Sequence, residues 1–244
     1  MTLTTEMTVR QIAIENPAAV DIFEARGIDY CCGGERPLAE ACERASVPVE
    51  EILELLAKEP AGIETTRNKW TNATLADLTQ YIVERHHTFV RQEIPRLQAL
   101  FQKVEEHHAA AHPELSAIRG LFGAMAEELS SHLMKEEQVL FPYLERMEAA
   151  ARGDSELPPA CFPSVEMPIA RMLAEHSDAG ALLEQIRSLA NDFQPPESAC
   201  PSYRRLYSGL EEFERDLHQH IQLENNFLFP RSAELERSLS KSRR

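Results

Sequence analysis

Apolar residues recur at every third or fourth position along four long stretches of this chain, separated by segments rich in proline and polar residues. Such spacing places the apolar side chains on one face of a helix. Connections of modest length between the stretches favour an antiparallel four-helix bundle. The capping box from Thr74 to Asp77 marks the start of the first helix, and Pro95 within it is expected to kink or split that helix. The predicted helices cover about 75–104, 114–149, 168–193 and 202–238.

The first 58 residues predict a small helical module. Thr8 caps the helix VRQIAIEN, Pro17 stands at the first position of a second helix, and Gly27 ends it. VEEILELLAK predicts a further helix, and GIDYCCGGERPL, before it, predicts a loop because of its glycines and proline. The predicted organisation is a helical module, a linker without periodicity and a bundle, over residues 1–58, 59–73 and 74–244.

Composition and charge mainly exclude certain partners and locations. The formal net charge of −15 argues against nucleic acid or an anionic membrane as the main partner, because both require a basic surface. No apolar run approaches the roughly 18 residues of a membrane-spanning helix, and the N-terminus lacks the pattern of a secretory signal. Five cysteines without framework spacing fit a reducing cytoplasm better than a disulfide scaffold.

One eleven-residue pattern occurs twice. HLMKEEQVLFP begins at His132 and HIQLENNFLFP begins at His220, 88 residues later, and both read His-x-x-x-Glu-x-x-x-x-Phe-Pro. If the second and fourth helices are copies of each other, the first and third are their partners and the bundle is two copies of one helix hairpin. The duplication predicts a pseudo-twofold axis, with matching residues facing each other. We interpret Phe-Pro as architecture, in which proline ends or kinks the helix and phenylalanine seals the core.

The repeated histidine and glutamate share the apolar stripe of their helices, because residues four apart lie on one side of a helix. The first and third helices each add one histidine to their own stripe, 89 residues apart. Buried polar groups without partners cost on the order of 1–3 kcal/mol each, so a duplicated set calls for a common partner. The candidate metal ligands are His87, His132, Glu136, His176, His220 and Glu224.

Imidazoles and carboxylates together suit a pair of divalent transition-metal ions, and a carboxylate can bridge two ions. We expect each ion to take two histidines from one helix hairpin, with both glutamates as bridges and at least one coordination position open on each ion. Iron is favoured, because structural zinc sites prefer cysteine and no cysteine lies on these stripes. The plainer interpretation, a histidine satisfied within the core, fits a single residue better than a duplicated set.

Five further histidines lie outside this set of candidate ligands. His86 competes with His87, because it lies on a neighbouring stripe and the repeat offset prefers His87 only mildly. The other four lie in a predicted loop or on another helix face. We predict that they are exposed to solvent: His107, His108, His112 and His218.

These motifs together resemble a known family. Residues 74–235 are similar to the hemerythrin-like cation-binding domain, and DYCCGG at 29–34 resembles the signature of the small N-terminal domain of iron–sulfur cluster repair proteins. In this order the two parts resemble the repair-of-iron-centres family over nearly the whole chain, with further matches in SSHLMKEEQVLFP, EHSDAG and LENNFLFPR. The resemblance implies an all-α fold, a hemerythrin-like antiparallel four-helix bundle with a small N-terminal helical domain.

The resemblance also implies a function. It suggests a cytoplasmic protein with two carboxylate-bridged non-haem iron ions, which repairs iron–sulfur clusters damaged by nitric oxide or oxidants, either by donating iron or by handling nitric oxide. The family's four histidines and two bridging glutamates match the six residues given above. Its partners would be damaged iron–sulfur proteins, with nitric oxide or oxygen as the small ligand. The resemblance favours a homodimer, although no pattern in the sequence independently indicates one.

Two points stay open. Cys31 and Cys32 either fill a tight turn or a dimer contact, or carry thiol chemistry (persulfide, nitrosyl or iron handling), which the resemblance favours. Besides repair, the iron pair could reduce nitric oxide as an enzyme, or sense oxygen or nitric oxide, although no output domain is evident. Oxygen-carrying hemerythrins use five histidines, and no fifth lies on these stripes.

Overall fold

The structure is a computed structural model that describes residues 3–16, 18–58, 70–156, 159 and 161–242. Residues 59–69, most of the predicted linker, lie outside the described residues, as does Pro17. Within the described ranges every regular element is a helix, which confirms the all-α fold. None of the helices in these ranges is long and apolar enough to span a membrane.

The N-terminal module contains four short helices in its described residues: α1 Val9–Glu15, α2 Ala18–Ala25, α3 Leu38–Arg44 and α4 Val49–Lys58. Thr8 forms the predicted cap as a full capping box with Gln11, and Gly27 leaves α2 at a φ of +63°. Helix α3 was not predicted, because the glycines and proline before it indicated a loop. That loop ends at Pro37, and the seven residues after it form α3.

Four long helices form the bundle within the described residues. Helix α5 runs through Leu75–Tyr81, Ile82–His87 and Thr88–His108, and α7 covers Glu166–Leu189. Helix α6 consists of Glu114–Lys135, Glu136–Leu140 and Phe141–Arg152, and α8 consists of Pro201–Leu223, Glu224–Leu228 and Phe229–Ser242. Helix α5 packs more on α8 than on α6, and α7 packs far more on α6 than on α8.

The middle segments of α5, α6 and α8 are π-helical. In α6 and α8 this segment begins at the repeated glutamate and ends just before the repeated Phe-Pro. A proline cannot donate a backbone hydrogen bond, and its ring clashes with the preceding turn of a regular α-helix. The wider π turn therefore lies just before the proline, where a regular α-helical turn would clash with its ring. Phe-Pro was expected to end or kink its helix. It does not end the helix, because α6 continues to Arg152 and α8 continues to Ser242.

Pro95 does not split α5. It lies inside the segment Thr88–His108, which is helical on both sides of it. Leu97 and Phe101, directly beyond the proline, are fully buried. Their packing holds the following turns on the core in spite of the lost backbone hydrogen bond.

Two apolar clusters fill the interior. The first unites the N-terminal module with one half of the bundle, so these two parts share one core. The second occupies the other half and includes Trp70, at the end of the predicted linker, which is helical and buried. Along each long helix, the six candidate ligands lie near the boundary between residues of the first cluster and residues of the second. The fold therefore places a polar layer across the middle of an apolar bundle.

The duplication extends beyond the eleven-residue pattern. The Glu148 carboxylate accepts hydrogen bonds from the backbone N–H groups of Leu75 and Ala76, at the start of α5. Glu236, 88 residues later, accepts from the backbone N–H of Val165 at 2.9 Å and from the Ser164 hydroxyl at 2.6 Å, just before α7. Each copy of the hairpin thus uses its second helix to cap its first, where the helix dipole favours a negative charge.

We predict that Glu236→Ala lowers the free energy of unfolding by about 1–2 kcal/mol, because the N–H of Val165 and the Ser164 hydroxyl lose a charged acceptor. Denaturant unfolding followed by circular dichroism measures the change. Glu234→Ala is the matched control, since Glu234 is an exposed glutamate on the same helical segment. Equal stability of the two variants would show that this cap contributes nothing.

Candidate metal centre

The six predicted ligands converge at the polar layer. Two groups of possible metal-binding atoms form there, and within each group the atoms lie within 4.8 Å of one another. His87 and His220 belong to one group, and His132 and His176 belong to the other. Glu136 and Glu224 are members of both groups. The structure thus brings together all six side chains that the sequence singled out.

The pairing of histidines differs from the expectation. We expected each ion to take its two histidines from one copy of the hairpin, α5 with α6 or α7 with α8. The structure instead pairs His87 of α5 with His220 of α8, and His132 of α6 with His176 of α7. The reason is the packing of the bundle, in which α5 packs more on α8 than on α6, and α7 packs far more on α6 than on α8.

The two groups are related as the duplication predicts. The ring centroids of His87 and His220 are 4.9 Å apart with planes at 58°, and those of His132 and His176 have the same separation and angle. The repeated phenylalanines stack on equivalent rings, Phe141 on His87 and Phe229 on His176. Phenylalanine therefore seals the core beside the site, as the sequence indicated.

Each carboxylate contacts one histidine of each group. Glu136 lies 3.1 Å from Nε2 of His132 and 3.4 Å from Nε2 of His87. Glu224 lies 3.0 Å from Nε2 of His176 and 3.3 Å from Nε2 of His220. Each imidazole thus points its Nε2 atom at a carboxylate oxygen of Glu136 or Glu224, and these carboxylates lie between the two groups of histidines.

The side chains fit a bound cation. Glu136, Glu224, His87 and His220 are fully buried. Neither carboxylate has a hydrogen-bond partner among the described residues, and the same is true of Nε2 of His87 and of His220. Burying a carboxylate is unfavourable unless it is paired with a cation or hydrogen-bonded. A donor set of imidazoles and carboxylates with unmet bonding capacity meets the requirements of divalent iron and similar metals.

The electrostatics of the site point the same way. Burial by itself raises the pKa of Glu136, as does the Glu224 carboxylate, but contacts with His132 and His87 outweigh both and lower the pKa below its usual value. Burial lowers the pKa of His132, yet Glu136, Glu224 and Glu175 raise it to about 9. The pKa of His87 is raised as well, whereas burial and the neighbouring histidines lower that of His220. The two carboxylates therefore favour positive charge beside them, which a metal ion would supply.

Three of the four histidines are oriented by a hydrogen bond from Nδ1, the nitrogen that faces away from the centre. His87 Nδ1 lies 2.6 Å from Glu137, and His132 Nδ1 lies 2.8 Å from Glu175. Such outer partners fix the ring and tune its basicity. Their sequence pattern does not single these partners out, although each follows or precedes a candidate ligand directly in the chain. The third pair is His176 Nδ1 with Asn225, at 2.8 Å.

His86 is buried but belongs to neither group. Its Nδ1 lies 3.0 Å from Asp216, and its ring stacks on His220 at a centroid distance of 5.7 Å. Consecutive residues on a helix point about 100° apart, so His86 and His87 cannot occupy equivalent places. His87, and not His86, is therefore the residue that faces Glu136 and Glu224, and His87 as the metal ligand stays a prediction.

The prediction that the other four histidines are exposed holds for one of them. His107 is exposed, but His108, His112 and His218 are half-buried. His112 lies 3.0 Å from Glu114, and His218 lies 3.0 Å from Glu24 of the N-terminal module. The exposure prediction is wrong for these three because neighbouring helices, which the sequence did not place, cover them.

The loop that carries Cys31 and Cys32 lies against the metal centre. The Cys32 Sγ is 3.4 Å from the backbone carbonyl of His176. Asn225 accepts the hydrogen bond from His176 and donates from Nδ2 to the carbonyl of Cys31, at 3.0 Å. One side chain thus joins a candidate ligand to the cysteine loop.

A cavity reaches the centre between α6, α7 and α8. His132, His176 and His220 lie in its wall, together with apolar side chains such as Leu129 and Ile221. A small molecule that enters this cavity meets three of the four imidazoles.

The fold and this centre are those of a hemerythrin-type cation-binding bundle. The family model described as the hemerythrin HHE cation binding domain matches residues 78–232. A second model, a domain of unknown function (DUF542), matches residues 5–59. These matches fall on the bundle and on the N-terminal module.

Curated relatives match both parts in one chain. An iron-sulfur cluster repair protein YtfE of Pectobacterium atrosepticum is 36% identical over 230 residues, which cover 93% of this chain and 96% of the relative. Proteins of the same name from Escherichia coli and Citrobacter koseri are each 37% identical, over 91% of this chain and 94% of the relative. The chain belongs to this family of iron–sulfur cluster repair proteins.

We predict that His87→Ala weakens metal binding by more than the roughly 10–100-fold that loss of an outer hydrogen-bond partner costs a metal site. His86→Ala, the adjacent buried histidine, should retain the metal content of the unaltered protein. Elemental analysis after dialysis against a chelator measures both. Loss of metal from the His86 variant alone would reverse the assignment.

Proposed function

We propose that the two groups hold two non-haem iron ions, one bound by His87 and His220, the other by His132 and His176. Glu136 and Glu224 bridge the pair. This proposal is supported by the contact of each carboxylate with both groups and by the match to the cation-binding domain. Four histidines and two bridging carboxylates would leave at least one coordination position open on each ion, and such ions supply redox and small-ligand chemistry.

We further propose that the protein repairs iron–sulfur clusters damaged by nitric oxide or oxidants. The observation that carries this function is the similarity to curated repair proteins over more than nine tenths of both chains. The route is iron donation or nitric oxide handling, and the partners are damaged iron–sulfur proteins. The small cavity between α6, α7 and α8 supports binding of nitric oxide or oxygen, because three of the histidines lie in its wall.

Nitric oxide reduction at the iron pair is the second candidate. It is favoured by the equivalence of the two groups, which would let two small molecules bind side by side. The chain's own residues would hold the iron pair, exclude bulk water through the apolar clusters, and orient the imidazoles through Glu137, Glu175 and Asn225.

The cysteine loop takes part in this function through thiol chemistry at Cys31 and Cys32. Its position against His176 and Asn225 supports the proposal. All five cysteines, each within the described residues, are free thiols, which accords with a reducing cytoplasm. The homodimer expected from the resemblance stays a prediction.

We predict that the double variant Glu136→Leu/Glu224→Leu loses iron and keeps its helical fold, because replacing buried charges by apolar groups of similar volume is often neutral or stabilising. Elemental analysis and circular dichroism measure the two properties. Glu234→Leu, on the surface of α8, should bind iron normally. An unchanged iron content in the double variant would refute the ligand assignment.

We predict that iron-loaded protein restores the activity of an enzyme whose iron–sulfur cluster nitric oxide has damaged. Metal-free protein and the double leucine variant should restore little. The assay follows the recovered activity and the nitrous oxide evolved in the presence of a reductant. Equal recovery with metal-free protein would rule out iron donation, and nitrous oxide at many turnovers per iron pair would establish the reductase candidate instead.

A further inference from the structure

A third group of possible metal-binding atoms lies outside the central site. Asp29, Cys31 and Cys32 each offer one donor atom, and the three atoms lie within 4.8 Å of one another. We propose that these residues form a separate site for a borderline divalent cation such as Zn²⁺ or Fe²⁺. The site goes beyond the proposed function, because it uses none of the six central ligands and does not depend on whether they hold iron.

The distances match those of a tetrahedral thiolate site. Two sulfur atoms bound at about 2.3 Å to one tetrahedral ion lie roughly 3.8 Å apart, and the two Sγ atoms of Cys31 and Cys32 are 3.8 Å apart. A sulfur and an oxygen on the same ion lie roughly 3.6 Å apart. Oδ1 of Asp29 lies 3.6 Å from Sγ of Cys31. Two edges of the tetrahedron therefore exist already.

The same distances disfavour a disulfide. A disulfide brings its sulfur atoms to about 2.05 Å, and adjacent cysteines form one only with strain. Both cysteines are free thiols in the structure. Two thiols at this spacing can therefore share a cation without the backbone change that oxidation requires.

The surrounding structure holds the donor atoms in place. The Asp29 carboxylate accepts the backbone N–H groups of Cys31, at 3.2 Å, and of Cys32, at 2.9 Å. Asn225 donates to the carbonyl of Cys31 from the opposite side. Gly180 of α7 lets Cys32 approach, because a Cβ at that position would lie 3.3 Å from its Sγ. A preorganised set of ligands loses little freedom when an ion binds.

Access and protonation suit an exchangeable ion. Asp29 is exposed and Cys32 is half-buried, whereas Cys31 is buried. The hydrogen bond with Cys32 and burial raise the pKa of the Cys31 thiol well above its usual range. The cation must therefore displace the thiol protons to the solvent as it binds. Three protein donors leave a fourth position for water or an incoming ligand, as in metal sites that are not purely structural.

We test the proposal by titrating the full-length, iron-loaded protein with Cd²⁺ in the absence of oxygen. Thiolate-to-metal charge transfer in the ultraviolet reports only sulfur ligands, so Cd²⁺ on histidine or glutamate is silent in this band. We expect saturation at one equivalent. Asp29→Asn should weaken binding by at least about tenfold, the lower bound for loss of an outer partner. Cys31→Ser/Cys32→Ser should abolish the band.

The double variant Cys161→Ser/Cys200→Ser is the matched control and should retain the band. Circular dichroism and iron content show that each variant is folded. Cys32→Ser alone, at a half-buried position, repeats the test if the double variant unfolds. A band that survives in Cys31→Ser/Cys32→Ser, or that depends on Cys161 and Cys200, would overturn the proposal. So would an Asp29→Asn protein that binds Cd²⁺ as tightly as the unaltered protein.

Discussion

The metal centre and the packing around it depend on two buried carboxylates, those of Glu136 and Glu224. Neither is exposed to solvent, and two negative charges in an apolar bundle are unfavourable without cations close by. Four imidazoles surround them, and the pKa of both glutamates is lowered because histidine contacts outweigh burial. The arrangement is a site whose charge is balanced by protons when metal is absent, and by metal ions in the proposed state.

The duplicated hairpin explains how one sequence builds such a site. Each copy supplies a histidine, then a histidine and a glutamate four residues apart, and each caps its first helix from its second, through Glu148 or Glu236. The π-helical segments of α6 and α8 begin at the ligand glutamates. They admit the proline that follows and let the preceding phenylalanine stack on a histidine ring of the site.

The two halves of the centre are alike in their inner residues and different in their outer ones. The Nδ1 of His87 faces a carboxylate, Glu137, whereas the Nδ1 of His176 faces the neutral amide of Asn225. A carboxylate partner makes an imidazole a stronger donor to metal than an amide does. Asn225 also binds the cysteine loop, so the half that contains His132 and His176 is tied to the N-terminal module through Asn225. Two ions in this centre would therefore have different surroundings.

The sequence by itself determined the approximate helical spans of the bundle, the duplication, the inward face of each long helix and five of the six residues of the centre, with His86 or His87 as the sixth. Periodicity carries this information, because it records which side of a helix is buried. It does not record which helix lies opposite, so the pairing of His87 with His220, and of His132 with His176, was decided by packing. The choice between His86 and His87 needed the rotation of α5 about its axis. The partners Glu137, Glu175 and Asn225, and the contact of Cys32 with α7, arise between elements that are distant in the chain, and only the tertiary structure brings them together.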